Sequence, residues 1–146
     1  AAERELAAEA QFRAGWLDFN RGRFAEGLPR LRATMDRFGK SEWATDAAWY
    51  VAFSAYLLGR PVEAANALDE FERRARGPAG KGGIDALGRV RYFRARLAGK
   101  AGRADDEKGG LLELARRAPL SYYGLVARAR LSALGVLCGA PQAAGR

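Results

Sequence analysis

The sequence predicts an all-α fold, a right-handed array of antiparallel helical hairpins with about seven helices, and three observations carry that prediction. Alanine and arginine are abundant while valine, isoleucine and threonine are scarce, so local preference favours helix nearly everywhere outside the glycines. Three turns, Gly22-Arg23-Phe24, Gly59-Arg60-Pro61 and Gly102-Arg103-Ala104, recur at intervals of 37 and 43 residues. Around each turn one frame returns. A small residue (Gly15, Ala52 or Ala95) stands seven residues before the glycine, an aromatic one (Phe12, Trp49 or Tyr92) three before that, and Leu31, Leu68 or Leu111 nine after the glycine.

Each part of the frame has a physical task. Glycine permits the left-handed backbone that ends one helix and reverses the chain in a short turn. The small residue lets two antiparallel helices approach closely, and the aromatic ring and the leucine fill the space so enclosed. One such hairpin cannot bury its own apolar face, so neighbours stack into a continuous core.

The elements follow in order. A first helix runs from about Glu3 to Asn20, with Phe12, Trp16 and Phe19 spaced along one face. A second covers Phe24 to Phe38, and Pro29 within it is either an early-turn residue or a kink. Ser41 is placed to cap a third helix, Glu42 to Leu58. Trp43, Ala47, Tyr50 and Ser54 form one of its stripes and Trp49, Ala52, Phe53 and Tyr56 another, so this helix should be the most buried. Pro61, favourable in a first turn, opens a fourth helix that ends near Arg76.

Residues 77–83, Gly-Pro-Ala-Gly-Lys-Gly-Gly, break every period and read as a flexible loop that accounts for the longer second interval. A fifth helix is expected from about Ile84 to Ala98, a sixth from Ala104 to Ala118 and a seventh from Ser121 to Leu134. The expected organisation is one helical-repeat domain over residues 1–135, with hairpins over about 3–38, 41–76 and 84–118, a terminal helix over 121–134 and a C-terminal tail over 136–146.

Composition closes off much of enzymology. The 146 residues contain no histidine and one cysteine, Cys138. The usual zinc sites, the Ser-His-Asp triad and the Cys-His pair are therefore unavailable, as is an intramolecular disulfide. Cys138, beside Leu137, reads as a buried thiol with no reactive role. No cofactor and no metal site is expected. No apolar run is long enough to span a bilayer, and the start, Ala1-Ala2-Glu3-Arg4-Glu5, lacks the apolar stretch of a secretory signal, so the expectation is either a cytosolic chain or one whose export signal was removed. The net charge of +8 could attract a polyanion, but the arginines are scattered among acids such as Glu5, Asp36, Glu63 and Glu113. That spread points to a solvated helical surface and away from a nucleic-acid partner.

Two resemblances complete the reading. The glycine frame resembles tetratricopeptide-type repeats, including Pro119 at the end of the third unit. It departs from them at Gly39 and Arg76, which occupy the corresponding places, and in its longer intervals. The stretch Tyr92-Phe93-Arg94-Ala95-Arg96, Gly102-Arg103, Leu114-Ala115, Pro119 and Ser121-Tyr122-Tyr123-Gly124-Leu125, closing with Arg130-Leu131, resembles the last hairpin and linking helix of the superhelix in soluble lytic murein transglycosylases. That resemblance covers about residues 84–134, and Trp49-Tyr50, Ala55-Tyr56 and Gly59 are similar to earlier hairpins of the same domain.

The resemblance implies a periplasmic, noncatalytic body that braces a lysozyme-like catalytic domain of the same parent chain and helps hold the peptidoglycan strand. It supplies no catalytic residue, because the Glu-Ser dipeptide of that chemistry occurs nowhere in the chain. Ser121, Tyr122 and Tyr123 are the candidate domain-docking residues. Ser121 reads as an N-cap, with one tyrosine packed on the preceding hairpin and the other left for a neighbour, while Gly124 inside the first turn calls for close packing. The alternative reading is a free-standing tetratricopeptide-like module that binds a partner protein in a groove lined by the first helix of each hairpin.

Overall fold

The computed structural model describes residues 1–77 and 84–136. All seven expected helices are present: α1 (Ala2–Asn20), α2 (Phe24–Arg37), α3 (Glu42–Leu57), α4 (Pro61–Ala75), α5 (Ile84–Lys100), α6 (Ala104–Arg117) and α7 (Tyr122–Ala133). Among the described residues there is no strand. The chain divides into two compact units, Ala1–Gly82 and Gly83–Arg146. Cys138, residues 78–83 of the expected loop and residues 137–146 of the expected tail lie outside the described residues.

In the first unit both hairpins reverse at the expected glycines, with φ of 72° at Gly22 and 69° at Gly59. The left-handed glycine lets the next residue bond back across the helix end: Arg23 N donates to Asp18 O at 2.8 Å and Arg60 N to Ala55 O at 2.9 Å. The close approach also falls where the frame places it. A Cβ built on Gly15 would stand 2.7 Å from Leu31 Cγ, and Leu31 is fully buried.

Helix α3 is the centre of this unit. It buries Ala44, Ala47, Ala48, Trp49, Val51, Ala52, Ser54 and Ala55, more residues than α1, α2 or α4 buries. One stripe of α3 meets α1, with ring centroids 5.3 Å apart for Phe12 and Trp43 and 4.9 Å for Phe19 and Tyr50. Trp16 Nε1 donates to the Tyr50 hydroxyl at 3.2 Å. Ser41 caps α3 by accepting from Trp43 N at 3.2 Å, and Pro61 opens α4 in its first turn. Helix α2 runs unbroken through Pro29. The ring removes the N–H that would bond Ala25 O, and both residues are exposed, so the missing bond falls on the surface side of the helix.

In the second unit α5 and α6 reverse at Gly102, with φ 80° and Arg103 N donating to Ala98 O at 2.9 Å. Helix α5 extends to Lys100, two residues past the expected end at Ala98. Gly99, in the added turn, is a helical residue at a crossing, where a Cβ would collide with the Glu107 carboxylate. Helix α7 lies on this hairpin and shares its core of Ala95, Leu111, Leu114, Ala115, Ala127 and Leu131, with Tyr92, Tyr123, Leu134 and Val136 packed against it. It ends in the same kind of glycine cap, with Gly135 at φ 75° and Val136 N donating to Leu131 O at 2.9 Å.

Candidate docking surface at the start of the last helix

The entry to α7 is built from short-range bonds. Ser121 is extended, with φ −74° and ψ 157°, and its Oγ accepts from Gly124 N at 3.0 Å while donating to Ala118 O at 2.9 Å. One hydroxyl thus satisfies a donor at the start of α7 and an acceptor at the end of α6. Gly124 lies so close to Ala118 O that a Cβ would overlap it, which supplies the close-packing reason for glycine in a first turn.

The two tyrosines differ in burial. Tyr123 points into the hairpin, with ring centroids 5.8 Å from Tyr92 and 6.4 Å from Phe93. Tyr122 stands edge-on to Tyr123 at 5.0 Å and is 67% exposed. Leu120 at 84% and Leu125 at 53% are exposed beside it, so the structure gathers an apolar patch of three side chains at this corner. Sequence reading singles out Ser121, Tyr122 and Tyr123 but not Leu120 and Leu125, whose exposure depends on how α7 is rotated against α5 and α6. No family model, no curated protein and no solved structure matches this chain.

Two buried acids were also outside the sequence reading. Asp18 is 2% exposed and accepts from Arg23 Nη2 at 2.6 Å and Arg30 Nη1 at 2.9 Å. Glu107 is 4% exposed and accepts from Arg130 Nε at 2.9 Å and Arg96 Nη1 at 3.4 Å. Each acid crosses a glycine on the paired helix: Asp18 of α1 lies over Gly27 of α2, and Glu107 of α6 lies over Gly99 of α5. Two arginines neutralise each carboxylate, so these groups fasten helices and offer no free acid or base. The sequence signal that could have found them is an acid within five residues of a reversal glycine, matched by a glycine on the other helix.

Other charges pair within a helix or between the two hairpins of the first unit. A groove of about 730 Å³ between α2 and α4 contains Arg32, Arg60 and Arg74 together with Glu63 and Glu70. Glu63 accepts from Arg32 at 2.5 Å and from Arg60 at 3.4 Å, and Arg74 bonds Glu70 at 2.6 Å and Gly39 O at 2.8 Å. The hydrogen bond from Arg32 holds the Glu63 carboxyl below its ordinary range. The bond from Arg116 does the same for Glu113. Among the described residues no group of three or more His, Cys, Asp or Glu could hold a metal ion, and no helix is long and apolar enough to cross a membrane.

Proposed function

We propose that this chain is a noncatalytic helical scaffold from a periplasmic peptidoglycan lytic transglycosylase. It braces the catalytic domain of the same polypeptide and helps guide the murein strand. Residues 84–134 carry the motifs that resemble the last hairpin and linking helix of that family's superhelix.

The observation that carries the bracing role is the exposure of Leu125. It stands ten residues before Gly135, as Phe12, Trp49 and Tyr92 stand ten before Gly22, Gly59 and Gly102. On α1 that position meets the next hairpin, through the Phe12 contacts with Trp43 and Tyr50. On α7 the same register leaves Leu125 in solvent, with Leu120 and Tyr122 beside it. A following domain seated there would bury an apolar surface already in the register of the repeat.

A free-standing adaptor would need aromatic residues exposed along the first helices. In the first unit those rings pack on one another: Phe12 and Trp49 are buried, while Trp16, Phe19 and Tyr50 are half-buried in mutual contact. The natural reading frame downstream of Arg146 tests the proposal. A lysozyme-like segment containing Glu-Ser is expected, and a stop codon or further helical hairpins would replace this reading with the adaptor.

A further inference from the structure

The groove between α2 and α4 has no task in the fold or in the scaffold role. Both helices pack on α3, and the space left between them, about 730 Å³, is lined at its apolar base by Met35, Val51 and Ala67. Small-molecule sites enclose about 300–1,000 Å³, so the groove has the size of one. Two cross-links bound it. Arg32 of α2 reaches Glu63 of α4 at 2.5 Å, and Arg74 of α4 donates to Gly39 O, just past the end of α2, at 2.8 Å. From Arg32 to Gly39 the chain rises only about 10 Å, at about 1.5 Å per residue. That length suits a compact ligand and excludes a helix laid along the groove.

The polar groups run in a definite order along it. At the Arg32 end Glu63 accepts one bond from Arg32 and one, at 3.4 Å, from Arg60. A guanidinium has five N–H groups, and both arginines are half exposed, so each keeps donors for a second carboxylate. Helix α4 also starts here without a side-chain cap, and the first N–H groups of a helix favour an anion. One turn along α2 from Arg32 stands Asp36, and about one turn along α4 from Glu63 stands Asn66. Both are exposed, and among the described residues neither side chain has a hydrogen-bond or ion-pair partner. A donor-rich end and an unpaired carboxylate thus lie about 6 Å apart along the helix axis. Arg32, Arg60 and Arg74 balance Asp36, Glu63 and Glu70 in the lining, so the complementary ligand is neutral overall and carries both signs.

We propose that this groove binds a free dipeptide or tripeptide with small apolar side chains, its carboxylate held by Arg60 and Arg32 and its amine by Asp36. An extended chain advances about 3.3–3.6 Å per residue, so a dipeptide sets its two charges at about the spacing that separates the arginine pair from Asp36. The Asn66 amide is placed for the peptide bond between them. Met35, Val51 and Ala67 receive the side chains, and Val62, 74% exposed at the rim, is the apolar group that a bound peptide would cover. A single amino acid is too short to reach both ends, and a polyanion would meet three carboxylates. The groove belongs to the second helices of the first unit, so it is separate from the α7 corner and does not depend on the scaffold role.

Met35 is the one methionine of the chain, so an isotopic label on the methionine methyl gives a single resonance inside the groove. Titration of the natural chain with alanylalanine is expected to move that resonance to saturation with a Kd of about 1–10 mM, as suits so small a ligand. N-acetyl-alanylalanine and alanylalanine amide, which each lack one charge, should bind at least about tenfold more weakly. Asp36→Asn and Arg60→Gln, both at exposed positions, should weaken alanylalanine to the same degree while leaving the melting midpoint within about 2 °C. Blocked peptides that bind as well as alanylalanine, a variant that binds it as tightly as the natural chain, or a Met35 methyl that does not move at about 50 mM peptide would each overturn the inference.

Discussion

Arg130 Nε donates to Glu107 Oε1 at 2.9 Å, and this bond ties the last helix to the hairpin on which it lies. Glu107 comes from α6, Arg130 from α7 and the second donor, Arg96, from α5, so one buried carboxylate joins all three helices of the second unit. The carboxylate fits because Gly99 presents no side chain beneath it.

That arrangement predicts a coupled pair of substitutions. Glu107→Ala is expected to cost about 1–3 kcal/mol, below the value for a deeply buried pair because Arg130 and Arg96 remain partly in solvent. Gly99→Ala forces a methyl into the carboxylate and should cost a similar amount. The double variant should lose clearly less than the sum, since the clash needs both groups. Denaturant unfolding of the four proteins measures the coupling, and strict additivity would show that the contact is not what holds Glu107.

Two glycines of the second unit should respond oppositely to alanine. Gly102, at φ 80°, should lose about 1 kcal/mol because a Cβ strains the left-handed reversal. Gly109 is exposed within α6 with nothing near its Cβ position, so Gly109→Ala should gain about 0.5–1 kcal/mol. Thermal unfolding of the two variants should move the midpoint in opposite directions.

The corner residues separate docking from folding. Ser121→Ala removes a cap and should cost about 1 kcal/mol. Tyr123→Ala empties the contact with Tyr92 and Phe93 and should cost about 2–4 kcal/mol. Tyr122→Ser and Leu120→Ser, at exposed positions, should leave stability within about 0.5 kcal/mol. If the patch docks a following domain, these last two should weaken that contact in the longer protein. Interdomain protection in hydrogen exchange reports it.

The Glu63 carboxyl gives a pH signature of known sign. Arg32 lowers its folded pKa from an ordinary value of 4.5, so the pair stabilises above that value and the benefit disappears as pH falls through the folded pKa. Glu63→Gln should therefore lower stability at neutral pH, with the difference from the natural chain vanishing in acid below the carboxylate range. Urea midpoints of both proteins across that range measure it, and a difference independent of pH would refute the ionic origin.

Helix order and turn positions were legible because the signals are local. The frame of Phe12, Gly15, Gly22 and Leu31 states a reversal and its close approach within twenty residues. Gly135 adopts the same left-handed conformation, yet it is followed by Val136 instead of arginine and α7 lacks the small residue of the frame, so the sequence marks only a helix end. The role of Gly99 is not local either, since it depends on Glu107 of the facing helix. The buried acids and the Leu120, Tyr122, Leu125 patch depend on helix rotation in the same way. Composition carries no such information.

Incubation of the purified chain with isolated murein sacculi tests the scaffold reading most directly. The account predicts retention that weakens as salt screens the net charge of +8, with no soluble muropeptides released. Release of anhydro-muropeptides by the chain alone would contradict it, as would failure to bind sacculi at low salt.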